Sequence, residues 1–360
     1  MAKMAPPING ATIMSEILVN SELINKNFEL SVIQVSFINK IEEYGVFSFT
    51  KIFNAMAYCF TLIKKLIFFR PKLVYFTLSK SGIPFIRDIF YVMIIKFFGP
   101  KIIFHLHGRG INEITQKNKL TELLYKFAFK KEEVIVLSKN LISDVKNVHI
   151  KKPFVIMNGV KDYFPNFSSI TRNKTSTPIL LFLSTIAEEK GAFDFIDALS
   201  IVNNDGYNFI ANIVGSPSRN TSKKKFTDYL IKKKLDSKVN YKGPKYGNDK
   251  YEEFKKANIF VFPSHIESFG LVAVEAMQFK LPVIASNEGS LPIIVKNGVT
   301  GLLAEPKNVL DFAEKIKKLM DDRSLCLKMG KNGRRRFREY FTDDIYEENI
   351  LKVFNKCLIN

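Results

Sequence analysis

The chain has 360 residues, 46% of them hydrophobic and 25% charged, and a formal net charge of +19. That length is too great for one ordinary domain and suits two of about 150 to 200 residues. The composition is that of a globular chain with sizeable cores, not a disordered or low-complexity one. Cys59, Cys326 and Cys357 are odd in number and far apart, which argues against a disulfide framework or a zinc site and for a reducing compartment. The opening MAKMAPPING has no apolar leader run, and the apolar stretches at 46–69 and 83–98 are broken by Lys51, Lys64, Lys65, Arg87, Asp88 and Lys96. A cytoplasmic chain that does not cross a bilayer is therefore expected. Positive charge is denser in residues 1–160, with 22 Lys+Arg against 11 Asp+Glu. It is mixed with Phe, Ile and Leu rather than set in nucleic-acid motifs, so an anionic membrane surface is favoured over nucleic acid as the partner. A composition bias throughout the chain accounts for part of the excess.

Residues 6–11 read as a turn and 13–23 as a helix; with five residues before Pro6, a first strand is short or missing. A strand is expected over 30–36 and a long helix over 46–69, apolar at Phe47, Phe53, Phe60, Ile67 and Phe68 with Lys64 and Lys65 near its end. Core packing with a basic last turn is the better-supported reading of that helix, with lipid contact open to its exposed face. Then come a strand at 73–76, a loop, a helix at 84–98 and a buried strand at 101–107 that runs into Gly108-Arg109-Gly110. Ligands of open α/β sheets gather at the C-terminal ends of strands. His107 is thus placed for chemistry, whereas His105 shares its face but sits deeper. A strand histidine is commonly a satisfied core residue; the GRG turn favours function for His107. Arg109 is a weaker candidate, for an acceptor phosphate. A helix at 120–130, a strand at 133–137, a helical turn opened by Ser138 and a strand at 154–157 lead to Asn158-Gly159-Val160.

Residues 165–178, rich in Ser, Thr and Asn and without apolar period, form a linker. Beyond it, strands are expected at 179–184, 209–215, 239–244, 259–262 and 282–286. Helices are expected at 192–202, 223–235 and 249–256, from Pro306, and onward to the end. Between 260 and 282 stands FVFPSHIESFGLVAVEAMQFKLP: a strand, a breaker at Pro263, a loop with Glu267, and a helix entered at Ser268-Phe269-Gly270. Leu271, Val274 and Met277 recur at helical spacing, which predicts one face turned to a core. Glu275 lies in the second turn, eight residues after Glu267. Gly270 allows close backbone approach, and the free amides of a helix start suit an anion. Carboxylates beside such amides suit hydroxyl groups beside a diphosphate, the combination a nucleotide-sugar offers.

This stretch, with Pro282-Val283-Ile284-Ala285-Ser286 after it, resembles the signature of the group 1 (family 4) retaining glycosyltransferases. The resemblance covers essentially the whole chain and is strongest from Asn158 to Gly301. It implies an α/β fold of the GT-B type, two Rossmann-like domains facing each other across a cleft. The expected division is an acceptor-side domain at 1–165, a linker at 166–178, a nucleotide-sugar domain at 179–340, and a C-terminal helix at 341–360 packing back toward the first domain. It implies that Glu267 holds the sugar, with His107 beside it, and that Glu275 holds ribose hydroxyls. Lys190, Ser268, Phe269, Gly270, Leu271 and Gly10 are implied to meet the donor's diphosphate, and Gly243 the edge where the base is held. The family's Gly-Arg…Lys-Gly word reads here as Ser184-Thr185…Lys190-Gly191, so the lysine is kept and the arginine is not. A cation at a helix start opposes the macrodipole, and a bound anion would remove that conflict.

The expected activity is metal-independent transfer of a hexosyl group, with retention, from a nucleotide-sugar to a hydroxyl of a saccharide acceptor. No cofactor is expected. A lipid-linked acceptor in bacterial surface polysaccharide synthesis is favoured, with the protein peripheral on the inner face of the cell membrane. A nucleotide-sugar 2-epimerase, a DNA-modifying glycosyltransferase and a non-catalytic nucleotide-sugar binding protein are the alternatives.

Overall fold

A computed structural model of the chain describes residues 2–4, 9–35, 49–164 and 177–359. The chain divides into two compact units, the first made of Met1–Gly159 with Asp343–Asn360, the second of Val160–Thr342. In the first unit, β1 (Ala2–Lys3) and β2 (Gln34–Val35) pair in parallel. A second sheet holds β3 (Leu73–Phe76), β4 (Lys101–His105), β5 (Glu133–Val136) and β6 (Phe154–Val155) side by side in that order, all parallel. Parallel neighbours need long crossovers; helix Gly82–Phe98 supplies the one from β3 to β4, helices Ile111–Lys117 and Lys119–Phe129 the one from β4 to β5, and two 3-10 turns lie in the one from β5 to β6. Strands covered on both faces read as continuous apolar runs, as Ile102, Ile103 and Phe104 do, all fully buried. The C-terminal helix Asp343–Ile359 belongs to this unit. Its Phe354 ring lies 5.7 Å from that of Phe28, and Lys101 Nζ donates to Cys357 O at 3.1 Å.

The second unit carries β7 (Ile179–Leu183), β8 (Ile210–Val214), β9 (Val239–Gly243), β10 (Ile259–Phe262), β11 (Val283–Ser286) and β12 (Gly301–Ala304). They form one parallel sheet in the order β12-β11-β10-β7-β8-β9. The chain lays strands outward from β7 to β9, then returns to the other side of β7 and lays β10 to β12. This is the doubly wound arrangement, and its switch point falls between β7 and β10, the place where such sheets hold ligands. Leu180, Phe182, Ile213, Val261 and Ile284 fill the core together with Phe195, Leu199, Phe312 and Ile316 from the covering helices.

Several expected boundaries move. The strand expected at 101–107 ends at His105, after which only Leu106 N continues the ladder, to Ile135 O at 3.0 Å. Of the strand expected at 30–36, Gln34 and Val35 are paired and Ser36 lies outside the described residues. The long helix runs Phe49–Phe68; positions 46–48 lie outside, as do Pro6 to Ile8 and linker residues 165–176. The helix expected from Pro306 starts at Val309, because Lys307 takes φ 63° and the Asn308 side chain accepts from Asp311 N. Helix Leu271–Gln278 does not turn a single face to the core. Every residue from Ala273 to Gln278 is buried.

Candidate active site

The switch point is made by the loops that leave β7 and β10. Gly191 takes φ +70°, and a Cβ there would stand 1.9 Å from Pro263 O, so the two loops touch through their backbones. Above that contact, His265 N donates to Glu189 O at 2.9 Å and the buried Ser264 Oγ reaches the same oxygen at 3.3 Å. His265 Nε2 meets Asp194 Oδ2 at 2.6 Å, fastening the β10 loop to helix Ala192–Asn204. At the end of β8, a Cβ on Gly215 would stand 1.8 Å from Ser184 O. The C-terminal ends of β7, β8 and β10 therefore form one close-packed rim.

Lys190 and Glu267 meet on this rim. Lys190 Nζ lies 3.0 Å from Glu267 Oε2, the two side chains 28% and 14% exposed. The other carboxylate oxygen, Oε1, accepts from Ser268 N at 3.1 Å and from Phe269 N at 3.3 Å. Those two amides, expected on the donor's diphosphate, are thus taken by Glu267 here. The helix that follows is entered through Gly270 at φ +103°, and its first internal bond runs from Ala273 N to Gly270 O at 2.9 Å. The amides ahead of that bond, at Leu271 and Val272, stand at the helix mouth beside the carboxylate. Ser290 Oγ donates to Ser268 O at 2.5 Å and steadies the entry.

Glu275, 8% exposed, holds Lys250 Nζ at 2.6 Å. Both glutamates of the motif are therefore ionic partners of a lysine brought from elsewhere in the unit. The macrodipole conflict expected for Lys190 is met by the Glu267 carboxylate, and Lys190 itself closes a short 3-10 turn (Glu188–Lys190) ahead of the helix that begins at Ala192. Gly243 ends β9 at φ +68° with open space where a Cβ would go, its carbonyl accepting from Gly215 N at 3.0 Å.

In the first unit, the His105 and His107 rings do share a face, their centroids 4.1 Å apart. His105 is fully buried; Tyr75 OH and its Nδ1 share a hydrogen bond of 2.6 Å, and burial holds its pKa well below the ordinary value. His107 is half-buried beyond the strand end. Beside half-buried Arg109, the amides of Gly110 and Asn112 donate to the Asp144 carboxylate at 2.9 to 3.1 Å, so that helix mouth already holds an anion. Gly10, expected in a loop, is instead the first residue of helix Gly10–Asn20, because Asn9 caps it through Ala11 N and Thr12 N. Asn158 is buried and its Oδ1 has no partner among the described residues.

The sequence reading missed Lys250 and the His265–Asp194 pair. No local pattern marks a lysine 25 positions before its glutamate. Gly215 was visible as a glycine ending an apolar strand, and Gly191 as half of a Lys-Gly word, but neither showed which carbonyl it would touch.

Residues 164–336 match the family model described as glycosyl transferases group 1. The capsular polysaccharide biosynthesis glycosyltransferase CapM of Staphylococcus aureus is 33% identical over half of this chain and 46% of its own length. The N,N'-diacetylbacillosaminyl-diphospho-undecaprenol alpha-1,3-N-acetylgalactosaminyltransferase of Campylobacter jejuni is 26% identical over 68% of this chain and 64% of its own. The chain thus spans less than two thirds of the length of either. Among solved structures, Anabaena HepE in complex with UDP superposes with a TM-score of 0.70 at 18% identity, over 84% of this chain and 82% of that one. The second unit thus matches the group 1 glycosyltransferases over residues 164–336, and the chain has the α/β fold of the GT-B glycosyltransferase structure on which it superposes.

Proposed function

We propose that the protein moves a hexosyl group, with retention and without a metal, from a nucleotide-sugar to a hydroxyl of a lipid-linked saccharide acceptor in the building of surface polysaccharide. The observation that carries this reading is the Lys190–Glu267 pair at the sheet's switch point, 3.0 Å apart beside the mouth of helix Leu271–Gln278. The anomeric C–O bond breaks with its electron pair going to the diphosphate, and the acceptor oxygen bonds to the anomeric carbon as its proton passes to the departing diphosphate. Charge builds on the leaving diphosphate, and a cation with helix-mouth amides stabilises it. Donor binding exchanges Lys190 from the carboxylate to the diphosphate and frees Glu267 for sugar hydroxyls. Glu275 then takes the ribose hydroxyls, with Lys250 holding it in place, and the β9 edge at Gly243 receives the base. His107 is the first unit's candidate for the same reaction. The lipid-linked acceptor is supported by the undecaprenol-linked substrate in the name of the Campylobacter relative, and an enzyme using such an acceptor works at the inner face of the cell membrane.

The test is a thermal-shift screen of UDP- and GDP-sugars, followed by mass spectrometry of donor and acceptor products. A donor at 100 times its Kd adds about 2.7 kcal/mol of stability. Stabilisation by one donor, lost in Lys190→Ala, with a glycosylated product, supports the reading. Donor altered in the absence of acceptor would instead make the protein an epimerase, and binding without turnover a sensor.

A further inference from the structure

Three neighbouring helices of the first unit carry a second apolar stripe on the side away from their buried faces. Helix Gly82–Phe98 buries Phe85, Ile89, Val92 and Ile95. It also exposes Ile83, Ile86, Phe90, Met93 and Phe97, with Phe90 at 59% and Phe97 at 86%. Their spacing of three and four is that of one continuous helix face. Helix Phe49–Phe68 buries only Leu62 and Leu66 and exposes Phe53 (76%), Met56, Phe60 and Ile67. Helix Lys119–Phe129 exposes Leu120, Leu123 and Phe127. The middle helix is tied to the first by Tyr91 OH donating to Ala55 O at 3.2 Å, and to the third by Phe85 stacked on Tyr125 at 4.4 Å. The stripes therefore lie on adjacent helices, and so much exposed apolar surface on adjacent elements marks an interaction site.

Charge around the stripes is of one sign. Lys64, Arg70, Lys119, Lys126 and Lys130 are exposed. The carboxylates of these three helices are Asp88, buried against Arg87 at 2.6 Å, and Glu122, paired with Lys126 at 2.5 Å. Among the described residues no helix is long and apolar enough to cross a membrane. Apolar stripes rimmed by an excess of cations, on helices that do not span, fit one occupant: the headgroup–acyl boundary of an anionic bilayer.

We propose that the face formed by helices Phe49–Phe68, Gly82–Phe98 and Lys119–Phe129 docks on anionic lipid, with Phe53, Phe90 and Phe97 inserted and the lysines on the headgroups. This goes beyond the proposed reaction and does not depend on it. The full chain is floated with vesicles of phosphatidylcholine containing 30% phosphatidylglycerol, of phosphatidylcholine alone, and with none, without any donor. Expected are binding to the anionic vesicles at least tenfold tighter than to the neutral ones, weakening from 0.1 to 0.5 M salt, and a loss of tenfold or more in Phe53→Ser/Phe90→Ser/Phe97→Ser. If the triple variant does not fold, Phe97→Ser alone and Lys64→Glu/Lys119→Glu are read in its place, each expected to weaken binding severalfold. Absence of binding to anionic vesicles, or equal binding by variant and parent, overturns the proposal. So does a concentration-dependent dimer in sedimentation that the same substitutions abolish, since the face would then be a contact between copies. The donor screen is run on the same variants; its outcome bears on the reaction and not on the membrane face.

Discussion

Helix Val309–Asp321 of the second unit and helix Gly82–Phe98 of the first each cover a parallel sheet, yet their outer faces differ. The former buries Phe312, Ala313, Ile316 and Leu319 and turns Lys315, Lys317 and Asp311 outward into ion pairs. The latter buries a comparable face and then repeats the apolar pattern on its outer side. A bias of composition acting on the whole chain would mark both helices alike. The difference teaches that the exposed phenylalanines answer to a neighbour of the first unit, while the second unit gathers Gly191, Gly215, Gly270 and the Lys190–Glu267 pair on one rim of its sheet.

The largest expected effect falls on that rim. Gly191→Ala places a Cβ against Pro263 O with φ positive, and a loss of about 3–5 kcal/mol in denaturant unfolding is expected. A near-neutral result would mean that the two loops are not packed as described. Next comes Lys190→Ala. If the lysine carries the leaving diphosphate, kcat/KM falls by about 100-fold, some 2.7 kcal/mol. Unfolding stability changes by about 1 kcal/mol or less, because the pair with Glu267 is partly exposed. A stability loss matching the activity loss would reduce Lys190 to a structural residue.

The first unit is expected to be the acid-sensitive one. Burial lowers the pKa of His105 and, less completely enclosed, of His149. Both are neutral in the folded chain and protonate readily once it unfolds. Their contribution is complete above the unfolded value of about 6.5 and is lost as pH falls below it, at up to about 1.4 kcal/mol per pH unit for His105. Unfolding followed by hydrogen exchange at pH 7 and 5 should show protection lost first in β4 and β5. Uniform loss in both units would break the distinction. The smallest effect is Gly243→Ala, which meets open space and suffers only the φ penalty, about 1 kcal/mol in the same denaturant assay.

Much of the second unit was legible in the chain. Ile259–Phe262 is an uninterrupted apolar run closed by a proline, and the structure keeps it as a strand with the same ends. Glu267 and Glu275 stood out by the words around them. His105 and His107 were read on one face from strand alternation alone, and the rings confirm that. Where the reading slipped, a local cap had been overlooked: Asn9 draws Gly10 into a helix and Asn308 delays the one expected at Pro306. The long helix near 46–69 read mainly as core-packed, yet it buries two residues. Amphipathic spacing tells how many faces a helix has and not which one finds a partner.

The order of residues by itself determined the alternation of buried strands and helices, the motif with its two glutamates, and the excess of cations in the first half. Those are properties of neighbours within a few positions, where spacing and side-chain chemistry act directly. Tertiary structure alone decided that Lys190 faces Glu267 across 77 positions, that Lys250 faces Glu275, and that Gly191 must lie against Pro263. Such pairings depend on which strands lie side by side, and the return of the chain to β7 after β9 is fixed by the packing of the whole sheet.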